Sequence, residues 1–244
     1  MKLIEKLLGR SREDRPICSA IVPAAGSATR MGGENKMLIM LDGIPVLART
    51  LLALDGAQLV DEIIVAARSE DILTIAELCK SYGVTKSVKI VCGGANRLES
   101  VLQALAECRE DAAFYAVHDG ARPLADSEFI DNVIRYAHKT NAAAPAVPVK
   151  DTIKIARDGQ VERTPDRSTL FAVQTPQVFD AQLLSAALQS ARDSGAPITD
   201  DCSAVERLGK VVYLTEGSYE NIKITTPEDV ALATAILRRR EEYL

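Results

Sequence analysis

The chain has 244 residues, 47% of them hydrophobic and 26% charged, with a formal net charge of −5. That length can bury a sizeable core. No apolar run approaches the roughly 18–20 residues that cross a bilayer, and the acidic balance argues against a protein that grips the phosphate backbone of nucleic acid.

Residues 1–16, MKLIEKLLGRSREDRP, open like an amphipathic helix but lack an uninterrupted apolar stretch and a small-residue cleavage site. They are expected to form an N-terminal extension and not a signal peptide. From residue 17 onward, Ile- and Val-rich segments alternate with helical patterns. CSAIVPA predicts a buried strand, PVLARTLLAL a helix, VDEIIVAA a strand, and EDILTIAELCKSYG a helix closed by Gly83. SVKIVCGG and DAAFYAVHDG are the next strands, with the helix RLESVLQALAEC between them. DSEFIDNVIRYAHKT is a helix capped by Asp126 or Ser127.

The pattern changes after Asn141, where short extended pieces are interrupted by prolines. Within them DTIKIARDGQVERT predicts a β-hairpin with a type I′ turn at Asp158-Gly159. It would serve either as an arm that grips another subunit or as a lid. Helices resume at AQLLSAALQSARDSG and TDDCSAVERLG, followed by the strand KVVYLTEG and a last helix from Pro227. The expected architecture is α/β, a Rossmann-like, mostly parallel sheet with helices on both faces and an inserted β-hairpin arm. Residues 17–244 form one domain, with the arm at about 147–172. The five cysteines, Cys18, Cys79, Cys92, Cys108 and Cys202, are odd in number and lack CxxC spacing. They read as reduced, mostly buried thiols of a cytoplasmic protein.

Open α/β sheets bind ligands at the carboxyl ends of their strands, and the unusual residues lie just after strands. Ala24, Ala25 and Gly26 are small enough to let backbone approach a base or a phosphate. Arg30 offers a planar fork to phosphate oxygens and Lys36 a mobile point charge. Taken alone, this loop reads equally well as a turn with surface cations, and it is neither a P-loop nor a dinucleotide fingerprint. Gly93, Gly94, Arg97 and Ser100 open a helix whose N-terminus favours an anion or a base carbonyl. Asp119 ends another strand, as a hard oxygen ligand suited to Mg²⁺ beside phosphates, and Arg122 suits an anionic second substrate. The plainer alternative is a turn that Asp119 caps and Arg122 neutralises. His118 reads as a packed strand residue, and Lys223 taken alone as surface charge. Cations with one carboxylate, and no Ser–His–Asp or HExxH set, suit nucleotidyl transfer, in which a substrate phosphate is already the nucleophile.

PAAGSATRMGGENK, GGANRLESV, VHDGARP, PVKDTIK, TPQVF, ITDD and ENIKITTPEDV, taken together and in order, resemble the 2-C-methyl-D-erythritol 4-phosphate cytidylyltransferase family from about Ser19 to Leu237. The resemblance implies a nucleotidyltransferase type A fold. It also implies transfer of CMP from CTP to methylerythritol phosphate, with Mg²⁺, in the non-mevalonate route to isoprenoids. By that likeness Arg30, Lys36 and Lys223 hold the triphosphate and its developing charge, and Asp119 meets Mg²⁺ and the acceptor. Ala24, Ala25, Gly26, Gly94, Arg97 and Ser100 form the CTP side. Arg122 would face the acceptor, and the hairpin arm implies a homodimer that lends acceptor groups across subunits: Arg167 and Thr199, with Thr152 and Thr175 in support. The chain departs from the common pattern in reading Asn35-Lys36-Met37 for Pro-Lys-Gln and His-Asp-Gly for His-Asp-Ala at residues 118–120.

Two competing readings remain. A ribitol-5-phosphate cytidylyltransferase would share the CTP half and differ at the acceptor. A non-catalytic nucleotide-binding module would have lost Arg30, Lys36 or Asp119, and all three are present.

Overall fold

The computed structural model of the chain describes residues 15–26 and 35–242. The expected extension therefore lies outside the described residues, apart from Arg15 and Pro16. Arg15 forks onto Asp61 at 2.7 and 2.9 Å.

The first strand, β1 (Cys18–Pro23), carries no charged side chain and buries five of its six residues. Such a strand is covered on both faces, as the centre of a parallel sheet must be. A short ribbon, β2 (Met40–Leu41) with β3 (Ile44–Pro45), leads into helix α1 (Val46–Gly56). Strand β4 (Glu62–Ala67) is buried throughout. Its one acid is tolerated because the Glu62 carboxylate accepts hydrogen bonds from the Ser19 hydroxyl and the Arg109 amide, both at 2.7 Å. Helix α2 (Ile72–Ser81) ends as the sequence predicts, with Gly83 at φ +69° just beyond it. Strand β5 (Ser87–Cys92), helix α3 (Arg97–Ala106) and strand β6 (Phe114–Val117) follow. Helix α4 (Ser127–Thr140) is capped by Asp126, whose carboxylate accepts the Phe129 amide at 2.7 Å. Of the two expected caps, the structure uses the aspartate.

The proline-rich stretch after Asn141 builds more of the sheet than its sequence suggests. Strand β7 (Ala142–Pro148) is buried at six of seven positions. The hairpin β8 (Ile155–Arg157) and β9 (Gln160–Arg163) turns at Asp158 and Gly159, at φ +51° and +79°. Two positive φ values in a row are what a type I′ turn requires. Strands β10 (Phe171–Val173) and β11 (Gln177–Asp180) then return antiparallel along one edge of β7. Between the pairs Val173–Ala146 and Val178–Ala143 four residues oppose two, so the strand bulges at Gln174–Pro176. Pro145, which has no N–H, sits opposite that bulge and accepts the Gln174 amide at 2.7 Å. Prolines ordinarily mark an edge; here the bulge accommodates one in the interior. The chain ends with α5 (Ala181–Ser194), α6 (Asp201–Arg207), β12 (Tyr213–Glu216) and α7 (Pro227–Glu242).

The main sheet runs β12-β7-β11-β6-β1-β4-β5, with β10 continuing the β11 edge. All pairs are parallel except those made by β10 and β11. One face packs Ala20, Val22, Ile63 and Val65 against α1, α2, α4 and α7. The other packs Ile21, Ile64, Val117 and Phe179 against α3, α5 and α6. Each fully buried Leu or Ile of these layers contributes about 1.5–3 kcal/mol relative to an exposed one. The chain builds outward from β1 through β4 to β5, then returns to β6 on the other side of β1. That reversal leaves a crevice beyond the carboxyl ends of β1 and β6.

Candidate active site

The loops beyond these strands are stitched to one another by backbone. Ala24 donates its amide to the Ala66 carbonyl and Gly93 donates to Ala67, each at 2.7 Å. A Cβ at Gly93 would come within 2.6 Å of the Ala25 side chain, so only glycine lets the β5 loop lie against the β1 loop. Beyond it the Gly94 amide donates to the Ser100 hydroxyl at 3.1 Å, and that hydroxyl donates to the Asn96 carbonyl at 2.8 Å. Asn96 caps α3 by accepting the Glu99 amide. At Gly26, by contrast, a Cβ would meet nothing within 4 Å among the described residues.

Lys36 is followed by Met37, which is buried and whose carbonyl accepts the Leu47 amide at 3.0 Å. A Cβ on Gly120 would stand 3.3 Å from the Met37 sulfur and 3.2 Å from Leu47 and Val22. Met37 and Gly120 are therefore packing neighbours, and a side chain at 120 would press on the thioether.

Asp119, one residue past β6's last neighbour His118, is the electrostatic centre. Its carboxylate takes the Lys223 ammonium at 2.7 Å, with the Arg122 guanidinium 3.8 Å away. Burial alone would raise this carboxyl, but Lys223, Arg97 and Arg122 outweigh it and hold the group down at about 2. Arg122 donates to the Asn221 carbonyl at 2.6 Å, and burial lowers its pKa against the pull of Asp119. His118 is fully buried. Burial pushes its imidazole down to about 4, with Asp119 opposing and Arg122 assisting. It is a packed residue, as expected.

A cavity of about 370 Å³ brings together Ala25, Gly26, Lys36, Gly94, Arg97, Ser100, Asp119 and Lys223. Ala24 is buried at its edge. Arg30 lies outside the described residues. Thr175 and Arg122 stand behind Asp119 rather than in the lining. Thr199 lines a neighbouring cleft of about 340 Å³ that shares Asn96 and Arg97 with the first. Thr152 is exposed on the arm segment, and Arg167, also exposed, donates to the Lys150 carbonyl at 2.8 Å. A single copy of the chain does not bring these two to the cavity.

Arg97 does more than line a wall. Its guanidinium forks onto Asp201 at 2.6 and 2.8 Å, and Asp201 is fully buried. Burial would lower the Arg97 pKa; Asp201 overcomes it and raises it. The amides of Asp201 and Cys202 donate to Gln177 Oε1, each at 3.1 Å, while Gln177 Nε2 donates to Asp200. Gln177, Asp201 and Asn221 stand in the quoted motifs TPQVF, ITDD and ENIKITTPEDV, but no role was legible for them, since the partners that fix their roles lie 23 to 104 positions away. Asn96 was legible in principle, since it stands at a cap position before an apolar helix.

A family model, IspD, 2-C-methyl-D-erythritol 4-phosphate cytidylyltransferase, matches residues 18–239. A relative of that name from Desulforamulus reducens is 45% identical over 224 residues, covering 91% of this chain and 96% of its own. Another from Bacillus cytotoxicus is 44% identical over 218 residues, covering 89% and 96%. The crystal structure of 4-diphosphocytidyl-2C-methyl-D-erythritol synthase from Anaerococcus prevotii superposes with a TM-score of 0.82 at 33% identity, over 91% of this chain and 99% of that one. The cytidylyltransferase structure from Thermus thermophilus gives 0.74 at 31% identity, over 92% and 100%. The chain, with its cavity at the reversal point of the sheet, belongs to the 2-C-methyl-D-erythritol 4-phosphate cytidylyltransferase family.

Proposed function

We propose that this cavity transfers the cytidylyl group of CTP to 2-C-methyl-D-erythritol 4-phosphate, giving 4-diphosphocytidyl-2-C-methyl-D-erythritol and pyrophosphate for isoprenoid precursor synthesis. The observation that carries the reading is the convergence of Lys36, Lys223 and Asp119 on one cavity beside a small-residue, backbone-lined wall. A phosphate oxygen of the acceptor forms a bond to the α-phosphorus of CTP. The bond from that phosphorus to the bridging oxygen breaks, and the electron pair leaves with pyrophosphate. No proton has to move, which fits a site whose one histidine is buried and neutral. What the chain must supply is positive charge and position.

Lys36 and Arg30 hold the triphosphate, and Lys223 meets the charge that grows at the α-phosphate. Ala25, Gly26, Gly94 and Ser100 hold cytosine. Ala24, whose amide is committed to Ala66, offers the base its carbonyl. Mg²⁺ would supply further neutralisation of the triphosphate. Asp119 fits it, as an ionised hard oxygen ligand lining the cavity. Among the described residues no group of three or more His, Cys, Asp or Glu could hold a metal, so the ion would come with the nucleotide.

The acceptor side is read as shared between two copies. The hairpin strand β9 is exposed throughout, with Val161 60% exposed, and Phe171 at the start of β10 is 45% exposed. Apolar surface of this kind on a protruding ribbon is suited to a second chain, and Arg167 on the same arm would grip the acceptor phosphate of the neighbouring site with Thr199. Among the described residues no helix is long and apolar enough to cross a membrane. The unpaired cysteines suit the cytoplasm.

The deciding experiment is pyrophosphate release with CTP and Mg²⁺, comparing methylerythritol 4-phosphate with ribitol 5-phosphate. Release with the first acceptor alone is expected. Release with ribitol phosphate alone would move the acceptor assignment, and release with neither would overturn catalysis.

A further inference from the structure

Thr175 matches a position that the family likeness gives to acceptor binding, but its hydroxyl has other partners here. The residue is 4% exposed. Its Oγ1 accepts the Asp119 amide at 3.1 Å and lies 3.0 Å from His118 Nδ1. An oxygen that accepts from an amide still has its own proton to give, and the ring nitrogen beside it is the acceptor. That assigns the imidazole proton to Nε2, which faces the Arg122 carbonyl at 3.4 Å. Both ring nitrogens and the hydroxyl are thereby satisfied within the protein.

The backbone of Thr175 reaches the other half of the site. Its carbonyl accepts Asn221 Nδ2 at 3.0 Å, and the Asn221 carbonyl accepts Arg122 at 2.6 Å. Gln174 adds a clamp by donating to the Ser218 carbonyl at 2.7 Å. Three segments are tied at this one residue: 118–122, which carries Asp119, the bulge at 174–175, and 218–223, which carries Lys223.

We propose that Thr175 is a positioning residue for the Asp119–Lys223 pair, acting through the relay Asp119 amide, Thr175 hydroxyl, His118 Nδ1, and not an acceptor ligand. The inference rests on the cytidylyl-transfer reading for its kinetic consequences. Without the hydroxyl the Asp119 amide is left buried and unpaired, and the segment must shift to satisfy it. A carboxylate displaced in this way misplaces Lys223 with it, so the damage falls on the nucleotide half of the reaction.

The test is Thr175→Val against Thr175→Ser in the full chain. For the valine variant, kcat falls about ten- to hundredfold, the range in which one buried hydrogen bond is felt. Its KM for methylerythritol phosphate changes less than its kcat, since Thr175 itself makes no contact to the acceptor. The serine variant recovers most of kcat. An acceptor ligand would give the opposite split, a raised acceptor KM with kcat kept, and that result overturns the proposal. A second readout needs no substrate: hydrogen exchange of the Asp119 amide, measured by NMR, accelerates in the valine variant and not in the serine one. If the valine variant fails to fold, His118→Leu decides, because it removes the far end of the relay without touching Thr175. Faster Asp119 exchange in that variant supports the relay, and unchanged exchange overturns it. A wild-type protein that makes no product would sink the reaction assignment while leaving the exchange result to judge Thr175.

Discussion

The cavity end of the sheet and the hairpin arm follow opposite physical rules. Around Asp119 the polar groups are largely committed to partners inside the chain: Lys223 at 2.7 Å, the Thr175 hydroxyl at 3.1 Å, and the Arg97 fork onto Asp201. Glycines at 93, 94 and 120 sit where a Cβ would strike a neighbour within 3.3 Å. This end is preorganised by burial, and an electrostatic site gains most from such rigidity. On the arm, all four residues of β9 are exposed, and the hairpin has only its own ladder and turn to hold it. A two-stranded ribbon of this size is marginal alone. On the cytidylyl-transfer reading, Lys36, Lys223 and Asp119 meet within one copy, whereas the arm's apolar side chains and Arg167 would gain a role only against a second surface.

The sharpest way to break this contrast is at the two lysines. Lys36→Ala and Lys223→Ala should each lower kcat by about 10²–10³-fold, the size of losing one preorganised charge in a water-poor site; the melting temperature should hold in the first and fall in the second, which leaves the buried Asp119 carboxylate without its 2.7 Å partner. Steady-state pyrophosphate release beside a thermal melt checks both. Near-normal kcat in either variant would remove that lysine from the proposed site.

A smaller effect separates the two regions by pH. His118 is neutral in the fold because burial holds it at about 4, whereas the unfolded chain takes up a proton near 6.5. Stability from this group is therefore complete above about pH 6.5 and is lost as pH falls toward 4, by about 3 kcal/mol in all. Urea melts at pH 7.5 and 4.5 should show that extra loss in the wild type relative to His118→Leu. Equal losses in the two proteins would mean that His118 is charged when buried.

The mildest change is expected on the arm. Arg167→Ala removes an exposed fork bonded only to the Lys150 carbonyl in this copy. It should raise the acceptor KM about tenfold, the worth of one charge-assisted contact, and leave CTP affinity and stability unchanged. Titration calorimetry with CTP and acceptor kinetics together decide it. Equal loss of both substrates would place Arg167 in the nucleotide half and erase the division between the regions.

Much of this molecule was legible without coordinates. The alternation of β-branched runs with amphipathic helices predicts β1, β4, β5, β6 and their helices; burial on two faces demands the apolar runs of β1, β4 and β6, and β5 at the sheet edge keeps its β-branched residues with none of its positions fully buried. The Asp158-Gly159 turn was legible for a local reason, since only such residues tolerate two positive φ values in succession. Strand β7 was not, because its prolines mimic an edge and the bulge that tolerates them belongs to a partner strand some 30 residues later. The candidate site divides in the same way. Ala25, Gly26, Lys36, Gly94, Ser100 and Asp119 carry chemistry in their own side chains or small size and were legible in their motifs, whereas Lys223 read alone as surface charge and gained a role only beside the other motifs. Arg97 and Thr175 were legible as polar residues in those motifs, but their partners, Asp201 and His118, were not.

The sequence by itself determined which residues carry charge, which can turn, and which runs must be buried, because those properties are local to the side chain and its neighbours. Only the tertiary structure decided that Met37 packs beside Gly120, that Asp201 neutralises Arg97, and that the Thr175 hydroxyl serves the Asp119 amide. Each of these is a pairing across the sheet, set by strand order and register, and a hydrogen bond or a packing contact has no identity until both of its ends are placed.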